Sequence, residues 1–364
     1  MERICIITIV DSIEPTSMPV NEFVIYRATH QYPFSQIMIV CTEERYNGVV
    51  VPDNVRVIFV GHSRGMMKDA VARVVEECKI NHEYFVFHLH SQTSALIFYS
   101  ATLFMGLWKH TLFTIHSLYS QRSLKYRISS VLCTMLANRA NGVSNSVYKD
   151  YQPLAKKIKG KKFTAIVNAV DFDRLNNAIE NLPKHSDVCN MKKLVCVDRI
   201  IPLKNQEFLI RLMKQLPEST LIFIGKEDKG AIREFARTEG VDDRVIFTGQ
   251  LSREEVYRKM NDCGIYVSAS KIESFHIGVI EGMGIGLIPV VSAIPAHCEI
   301  ADTAKTFNPL PFDEDLWIKS IKYYQDLSGE ELKSLFEENK KAALSCFSIE
   351  KMHSDYINIY KELV

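Results

Sequence analysis

Short apolar runs alternate with helical patterns along this chain, and the rhythm runs twice. Strand candidates in the first half are residues 4–10, 36–41, 55–60, 84–88, 110–115, 142–144 and 163–167, with helical patterns such as 66–79 and 123–140 between them. The second half restarts with strand candidates at 193–197, 220–225, 244–247, 264–268 and 287–291, interleaved with helices over 205–214, 229–239 and 253–262. Such alternation predicts parallel sheets covered by helices on both faces. With 364 residues the chain is too long for one ordinary core. The expectation is an α/β protein of two doubly wound, Rossmann-like domains facing each other across a cleft. The break falls in the most polar stretch, 176–192, giving a first domain over 1–175 and a second over 176–347.

Composition narrows the class. Hydrophobic residues at 47% and charged residues at 24% are ordinary for a soluble enzyme. A net charge of +1 carries no overall nucleic-acid signal, so no nucleic-acid partner is expected. The nine cysteines are scattered without a Cys-x-x-Cys pair and read as reduced, mostly buried thiols of a cytoplasmic protein. The apolar start, 1–10, is too short for a signal peptide or a spanning helix and reads as a first strand. The longest apolar stretch, 94–108, also stops short of a span and reads as a buried helix. The basic run 156–162 is a solvated face or, alternatively, a contact with an anionic lipid surface. The second reading would put the protein peripherally at the inner face of a membrane.

Two glutamates eight residues apart, Glu273 and Glu281, carry the strongest chemical signal. They lie between two buried-strand patterns. A helix beginning near Phe275 would hold Glu281 inside it and leave Glu273 in the loop before its first turn. Its N-terminal amides would face an anion such as a diphosphate. A carboxylate accepts two hydrogen bonds and suits vicinal hydroxyls. Together these read as a sugar-nucleotide site at the carboxyl ends of the strands. At the first strand-to-helix junction of the second half, Arg199 and Lys204 flank a turn containing Pro202. Arg binds an oxyanion in a fork and Lys adds a point charge, though a pair of surface cations is the plainer alternative.

These residues in this order, followed by Gly286-x-x-Pro289-Val-Val, resemble the donor site of family 4 glycosyltransferases, retaining enzymes of the GT-B fold. Phe87-His-Leu-His90, Thr114-Ile-His116, Ala140-Asn-Gly-Val-Ser144, Ile166-Val-Asn-Ala-Val-Asp171 and Val245-Ile-Phe-Thr-Gly249 resemble further family segments in order and spacing. The resemblance implies that Arg199 and Lys204 hold the donor diphosphate and that Glu281 binds the ribose hydroxyls. It implies that Glu273 contacts the transferred sugar and that the amides of Phe275, His276 and Ile277 face the phosphate. His116 would approach the sugar from the first domain. It also implies that a final helix, 348–364, packs back on the first domain through Ile349, Met352, Tyr356, Ile359, Tyr360 and Leu363. No metal or other cofactor is implied, because two cations and a helix N-terminus can stabilise the leaving diphosphate.

The expected activity is hexosyl transfer from a nucleoside-diphosphate sugar, UDP ahead of GDP, to a glycan or lipid-linked acceptor in bacterial surface polysaccharide or glycolipid assembly. The alternatives are a sugar-nucleotide isomerase or epimerase on the same scaffold, and an inactive sugar-nucleotide-binding partner subunit. Three departures from the family pattern stand out. The segment 11–20 replaces a Gly-Gly loop, Asp198 replaces a Gly before Arg199, and His276 replaces another Gly. An Asp beside a cation site weakens the anion field unless it points away. Gly282 and Gly284 lower the propensity of the donor helix, and the sequence supplies no reason for them. The Asp-x-Asp triplets at 171–173 and 313–315 match a metal motif that is common by chance. His88 and His90 share one face of a strand and read as polar site lining.

Overall fold

The computed structural model describes residues 3–13, 34–42, 53–227 and 230–364. By packing, the chain forms two units: residues 1–168 with 352–364, and residues 169–351. In the first unit seven parallel strands run β1 (Ile4–Val10), β2 (Phe34–Val40), β3 (Val55–Phe59), β4 (Tyr84–Leu89), β5 (Thr111–Ile115), β6 (Arg139–Gly142) and β7 (Phe163–Ala165), in the spatial order β3-β2-β1-β4-β5-β6-β7. The second unit has β8 (Asn190–Val197), β9 (Thr220–Ile224), β10 (Val245–Phe247), β11 (Cys263–Ser268) and β12 (Ile288–Val291), ordered β10-β9-β8-β11-β12. In both sheets the order reverses once, between β1 and β4 and between β8 and β11. Such a switch point leaves a crevice at the strands' carboxyl ends, because the flanking connections depart in opposite directions.

Every expected strand has a counterpart, although β6 (Arg-Ala-Asn-Gly) meets the expected 142–144 at Gly142 only and β3, β7 and β10 are partly exposed. The central strands are runs of apolar residues buried on both faces, as parallel strands inside a sheet must be. The seven residues of β1 and the six of β11 are all buried. The helix bounds depart further from the sequence pattern. The apolar stretch after β4 is not one buried helix over 94–108. Its helix is Gln92–Ala101, and beyond it Leu103 and Phe104 are exposed, as is Trp108 within a short 3-10 turn at Leu107–His110. The pattern 123–140 likewise overran. That helix is Leu124–Leu136, β6 begins at Arg139, and Ser144 lies beyond the strand as the cap of the next helix, its Oγ accepting from Val147 N at 3.0 Å. Asp171 and Asp313 are also helix caps, accepting from Arg174 N at 3.0 Å and Leu316 N at 3.1 Å. That structural use accounts for one Asp of each Asp-x-Asp triplet.

The basic run is partly structural. Lys159 donates to the carbonyls of Met135 and Ala137, at the end of the Leu124–Leu136 helix, and Lys162 donates to Asn138 Oδ1 at 3.1 Å. All nine cysteines are free thiols, six of them buried. The segment 14–33 lies outside the described residues, and with it most of the 11–20 stretch in which the chain departs from a Gly-Gly loop.

The last helix, Ile349–Lys361, ties into the first unit by a buried polar ladder. Tyr360 OH lies 2.8 Å from His88 Nδ1, His88 Nε2 lies 2.7 Å from Thr114 Oγ1, Thr114 donates to Asn141 Oδ1 at 2.7 Å, and Asn141 Nδ2 donates to Tyr356 OH at 3.1 Å. Thr114's own proton goes to an amide oxygen, so His88 Nε2 must be the donor and its Nδ1 the acceptor from Tyr360. His88 is therefore a tie between strand ends and helix, not site lining. Of the stripe expected to be buried on this helix, Ile359 is half-buried and the other five residues are buried.

The glycines of the Ile277–Ile285 helix have a packing reason. A Cβ on Gly278 would lie 2.4 Å from Tyr266 OH, one on Gly282 would lie 2.9 Å from the Tyr266 ring, and one on Gly284 would lie 2.4 Å from the Phe172 ring. Gly284→Ala should destabilise the protein by about 1–3 kcal/mol through overpacking. Gly329→Ala, at a helical position with open space around it, should be neutral or stabilise by up to about 1 kcal/mol. Urea unfolding of the two variants checks the contrast, and equal effects would contradict it.

Candidate functional site

Strands β8 and β11 are neighbours at the switch point of the second unit, and the segments leaving their carboxyl ends carry most of the candidate residues. β8 ends at Val197 and delivers Asp198 and Arg199. The chain can turn sharply there because Gly225, on the neighbouring strand end, has no side chain: a Cβ on it would lie 1.9 Å from the Asp198 carbonyl oxygen. A 3-10 turn at Pro202–Lys204 then brings Lys204 back toward Asp198. From the other side the loop after β11 delivers Glu273, Phe275 and His276, ahead of the Ile277–Ile285 helix. That helix begins two residues later than the sequence suggests, so Phe275 and His276 precede it.

Lys204 sits between two carboxylates, Asp198 Oδ1 and Glu273 Oε1. All three side chains are largely buried, with exposures of 13%, 9% and 12%. Burial pushes Asp198 up to about 7 despite the pull of Lys204, and Glu273 pushes the same way. Burial would raise Glu273 as well, but His276, Lys204 and hydrogen bonds from Lys204 and Ser270 hold it below the usual carboxylate range. Burial opposes the Lys204 charge, and the two carboxylates overcome that and hold its pKa above that of a free lysine. Asp198, Glu273 and His276 bring ligand atoms within 4.8 Å of one another, a spacing that would suit a metal ion. The cation between the carboxylates is Lys204's own ammonium.

His276 is buried, and its Nδ1 lies 2.8 Å from Nε2 of His297 on the Pro295–Ala304 helix. His297 Nδ1 lies 2.8 Å from the Ser292 carbonyl. Both imidazoles are held neutral near pH 7 by burial, His276 down to about 4 and His297 to about 3. The remaining His276 nitrogen faces Tyr266 OH at 3.3 Å and Asp198 Oδ2 at 3.4 Å. His297 and Tyr266 were invisible as site residues in the sequence. The only signal was position, since each lies on or after a strand that borders the switch point.

Glu281 belongs to a second cluster. It is 2% exposed, and its Oε1 accepts from Tyr257 OH at 2.8 Å and pairs with Arg253 at 3.0 Å. Arg253 opens the Arg253–Met260 helix behind a capping box formed by Ser252 and Glu255. That Ser-x-x-Glu pattern was readable, but its consequence for Glu281 was not. Tyr266 separates the two clusters, with Gly278 and Gly282 packed on it. Arg199 is exposed, and its guanidinium makes no hydrogen bond or ion pair among the described residues. A cavity of about 430 Å³ adjoins the Arg199–Lys204 turn, lined by Ile200–Pro202, Asn205–Glu207, Glu227, Gly230–Ile232 and Lys271. Its lining does not include Lys204, Glu273 or Glu281, so the charged cluster rather than the cavity defines the site.

In the first unit His116 follows β5, and its Nε2 lies 3.1 Å from His90 Nδ1, which follows β4. Burial holds His116 down to about 4, so it is neutral near pH 7. A neutral imidazole there can donate or accept a hydrogen bond without carrying charge.

Residues 179–342 match the family model described as glycosyl transferases group 1. Two curated proteins are similar: the GDP-mannose:cellobiosyl-diphosphopolyprenol alpha-mannosyltransferases of Xanthomonas oryzae pv. oryzae, 30% identical over 92 residues, and of Xanthomonas campestris, 24% identical over 189 residues. The matches cover 24% and 51% of this chain, and the chain spans 24% and 49% of those relatives. Among solved structures, the sucrose-phosphate synthase of Thermosynechococcus elongatus superposes with a TM-score of 0.75 at 18% identity, covering 100% of this chain and 99% of its own. Anabaena HepE in complex with UDP and glucose does so with a TM-score of 0.75 at 16% identity, covering 98% and 99%. This likeness is one of fold: two Rossmann-like units of the GT-B type.

Stability should depend on pH in a set direction. His116, His185 and His276 are lowered to about 4 and His297 to about 3 by burial, against an ordinary value of 6.5. Below pH 6.5 the unfolded chain takes up protons that these folded imidazoles refuse until about pH 4, so stability falls as pH drops through that window. Asp198, raised by burial to about 7 from 3.8, works the other way between those values. Four groups outweigh one, each at up to about 1.4 kcal/mol per pH unit. The urea midpoint should therefore fall steadily from about pH 6.5 to about pH 4.5, and a rising midpoint would contradict the burial of these rings.

Proposed function

We propose that this chain is a retaining glycosyltransferase that moves a sugar from a nucleoside-diphosphate sugar to a glycan or lipid-linked acceptor in bacterial surface polysaccharide or glycolipid assembly. The observation that carries this reading is the Asp198–Lys204–Glu273 cluster at the switch point, with the exposed guanidinium of Arg199, unpaired among the described residues, at the same junction. Breaking a sugar–phosphate bond builds negative charge on the departing diphosphate. Arg199 and the amides that open the Ile277–Ile285 helix supply positive potential at one strand end, and Lys204 adds its charge to the extent that its two carboxylate partners release it. Glu273 accepts hydrogen bonds from sugar hydroxyls and Glu281 from the ribose. The group 1 match over 179–342 supports the donor role of this unit.

Both bases belong in the test, since the Xanthomonas relatives are named for GDP-mannose and the Anabaena structure holds UDP. The lipid-linked class of acceptor is favoured by the first unit's surface. Leu124, Ile128, Leu132 and Leu136 recur every fourth residue on one helix and are exposed, as are Leu154 and Ile158 in and beside the basic run 156–162. An apolar stripe beside lysines fits an anionic lipid interface. Cosedimentation should recover the protein with phosphatidylglycerol vesicles and not with phosphatidylcholine vesicles. Equal recovery with both, or none, would remove this support.

The function is tested by screening UDP and GDP sugars for thermal stabilisation, then following the product of the binding donor by NMR. An α-linked donor should give an α-linked product, and inversion would contradict the retaining class. Arg199→Ala should weaken nucleotide-sugar binding about tenfold or more, the loss of a charged hydrogen bond costing about 1.5–3 kcal/mol. Its melting temperature without ligand should change little, because among the described residues the exposed guanidinium makes no hydrogen bond or ion pair. Unchanged affinity in that variant would take Arg199 out of the site.

A further inference from the structure

The hydrogen bonds around His276 fix where its protons are. The Ser292 carbonyl can only accept, so His297 Nδ1, 2.8 Å away, carries a hydrogen. Ser292 Oγ, 3.3 Å from the same nitrogen, gives its own hydrogen to the Ser270 carbonyl at 2.6 Å. A neutral His297 therefore presents a lone pair at Nε2. His276 Nδ1, 2.8 Å from it, must be the donor. That leaves His276 Nε2 with a lone pair, and this lone pair points at Asp198 Oδ2 at 3.4 Å. Tyr266 OH also lies near Nε2, at 3.3 Å, but it donates to the Val197 carbonyl at 3.2 Å.

Asp198 Oδ2 is buried and has no hydrogen-bond partner among the described residues. Two acceptors face each other across 3.4 Å in a dry place, which is unfavourable unless one carries a proton. The charge count leads the same way. Lys204 is shared by two carboxylates, so an arriving diphosphate meets a lysine whose charge is already more than offset. Removing one negative charge from the cluster frees the lysine for the ligand. Of the two carboxylates, Asp198 is the one set against a lone pair.

We propose that Asp198 takes up a proton when a nucleotide sugar binds at Lys204, so that the donor site couples diphosphate binding to pH. This inference rests on the donor reading above. The groups that face Asp198 are Lys204 and Arg199 from its own junction, Cys196 from β8, Tyr266 from β11, and Glu273 and His276 from the loop after β11. Burial holds the Asp198 carboxyl up at about 7, within the range where the coupling is measurable, while His276, at about 4, stays neutral. Asp198 acts as a binding residue in this scheme, and no bond of the sugar is made or broken by it.

The test uses the full chain with GDP-mannose and UDP-glucose as probes. Their diphosphates are diesters with no oxygen that titrates near neutral pH, so any proton exchanged belongs to the protein. Calorimetric binding heats measured in buffers of different ionisation enthalpy should report uptake approaching one proton per ligand at about pH 8 and little at about pH 6. The dissociation constant should rise by up to about tenfold per pH unit above neutrality. Asp198→Asn keeps the shape and sets an amide hydrogen toward His276, so it should bind as tightly at about pH 8 as at about pH 6. Binding without buffer-dependent heat overturns the proposal while leaving the donor reading intact, and this measurement needs no variant. An unchanged pH slope in a folded Asp198→Asn variant moves the proton to another group and also overturns it. Failure of both probes, and of other nucleotide sugars, to bind at any pH overturns the donor reading and the proposal with it.

Discussion

Lys204 holds the second unit's site together. Its ammonium bonds to Asp198 at the end of β8 and to Glu273 in the loop after β11, and so joins the two segments that leave the switch point. Neither carboxylate could remain charged in so dry a place without it. The arrangement is stable as it stands, and it is also poised. The lysine has one charge and two partners, so a doubly charged ligand can compete for it if the cluster gives up one negative charge. The lone pair that His276 turns toward Asp198 is set from the other side, by its hydrogen bond to His297.

Tyr266 fills the space between this cluster and the pair formed by Glu281 and Arg253. Gly278 and Gly282 exist in the next helix because the ring lies flush against its backbone. A helix with three glycines in nine positions is poor by propensity alone. Packing against Tyr266 and Phe172 compensates, which is why the helix forms in the folded chain although its sequence argues weakly for it. The first unit shows a parallel solution. Two tyrosines from the last helix reach His88 and Asn141 at the strand ends, and every buried polar group in that ladder has a matching donor or acceptor.

Much of this was legible in the residue order. The central strands are legible because parallel strands buried on both faces are continuous apolar runs, whereas β6, with Arg139 and Asn141 in it, begins three residues before the expected 142–144. Lys204, Glu273 and Glu281 stand out in the sequence through their order and spacing around the strand ends, since by residue type alone surface cations and a chance pair of glutamates are the plainer reading. Helix ends were read less well, as at 94–108, because apolar residues after Ala101 continue the pattern while lying exposed. The histidines were the hardest. His88 resembles site lining in sequence and is a structural tie, whereas His297 resembles nothing and lies one hydrogen bond from the candidate site. A ring's partners come from distant segments, and no local pattern encodes them.

The sequence by itself determined two parallel α/β units, the strand ends at which chemistry could occur, and the residue types placed there. Those follow from periodicity and from the cost of burying charge, both of which are local. Tertiary structure alone decided the rest. It set Lys204 between two carboxylates rather than leaving it open to solvent, gave Glu281 to Arg253 and Tyr257, and left Arg199 exposed, with no hydrogen bond or ion pair among the described residues. It also turned Asp198, which in sequence weakens an anion site, into a buried carboxyl facing a histidine lone pair. Charge balance and proton position depend on which groups meet across the switch point, and only the packed sheet brings β8 and β11 side by side.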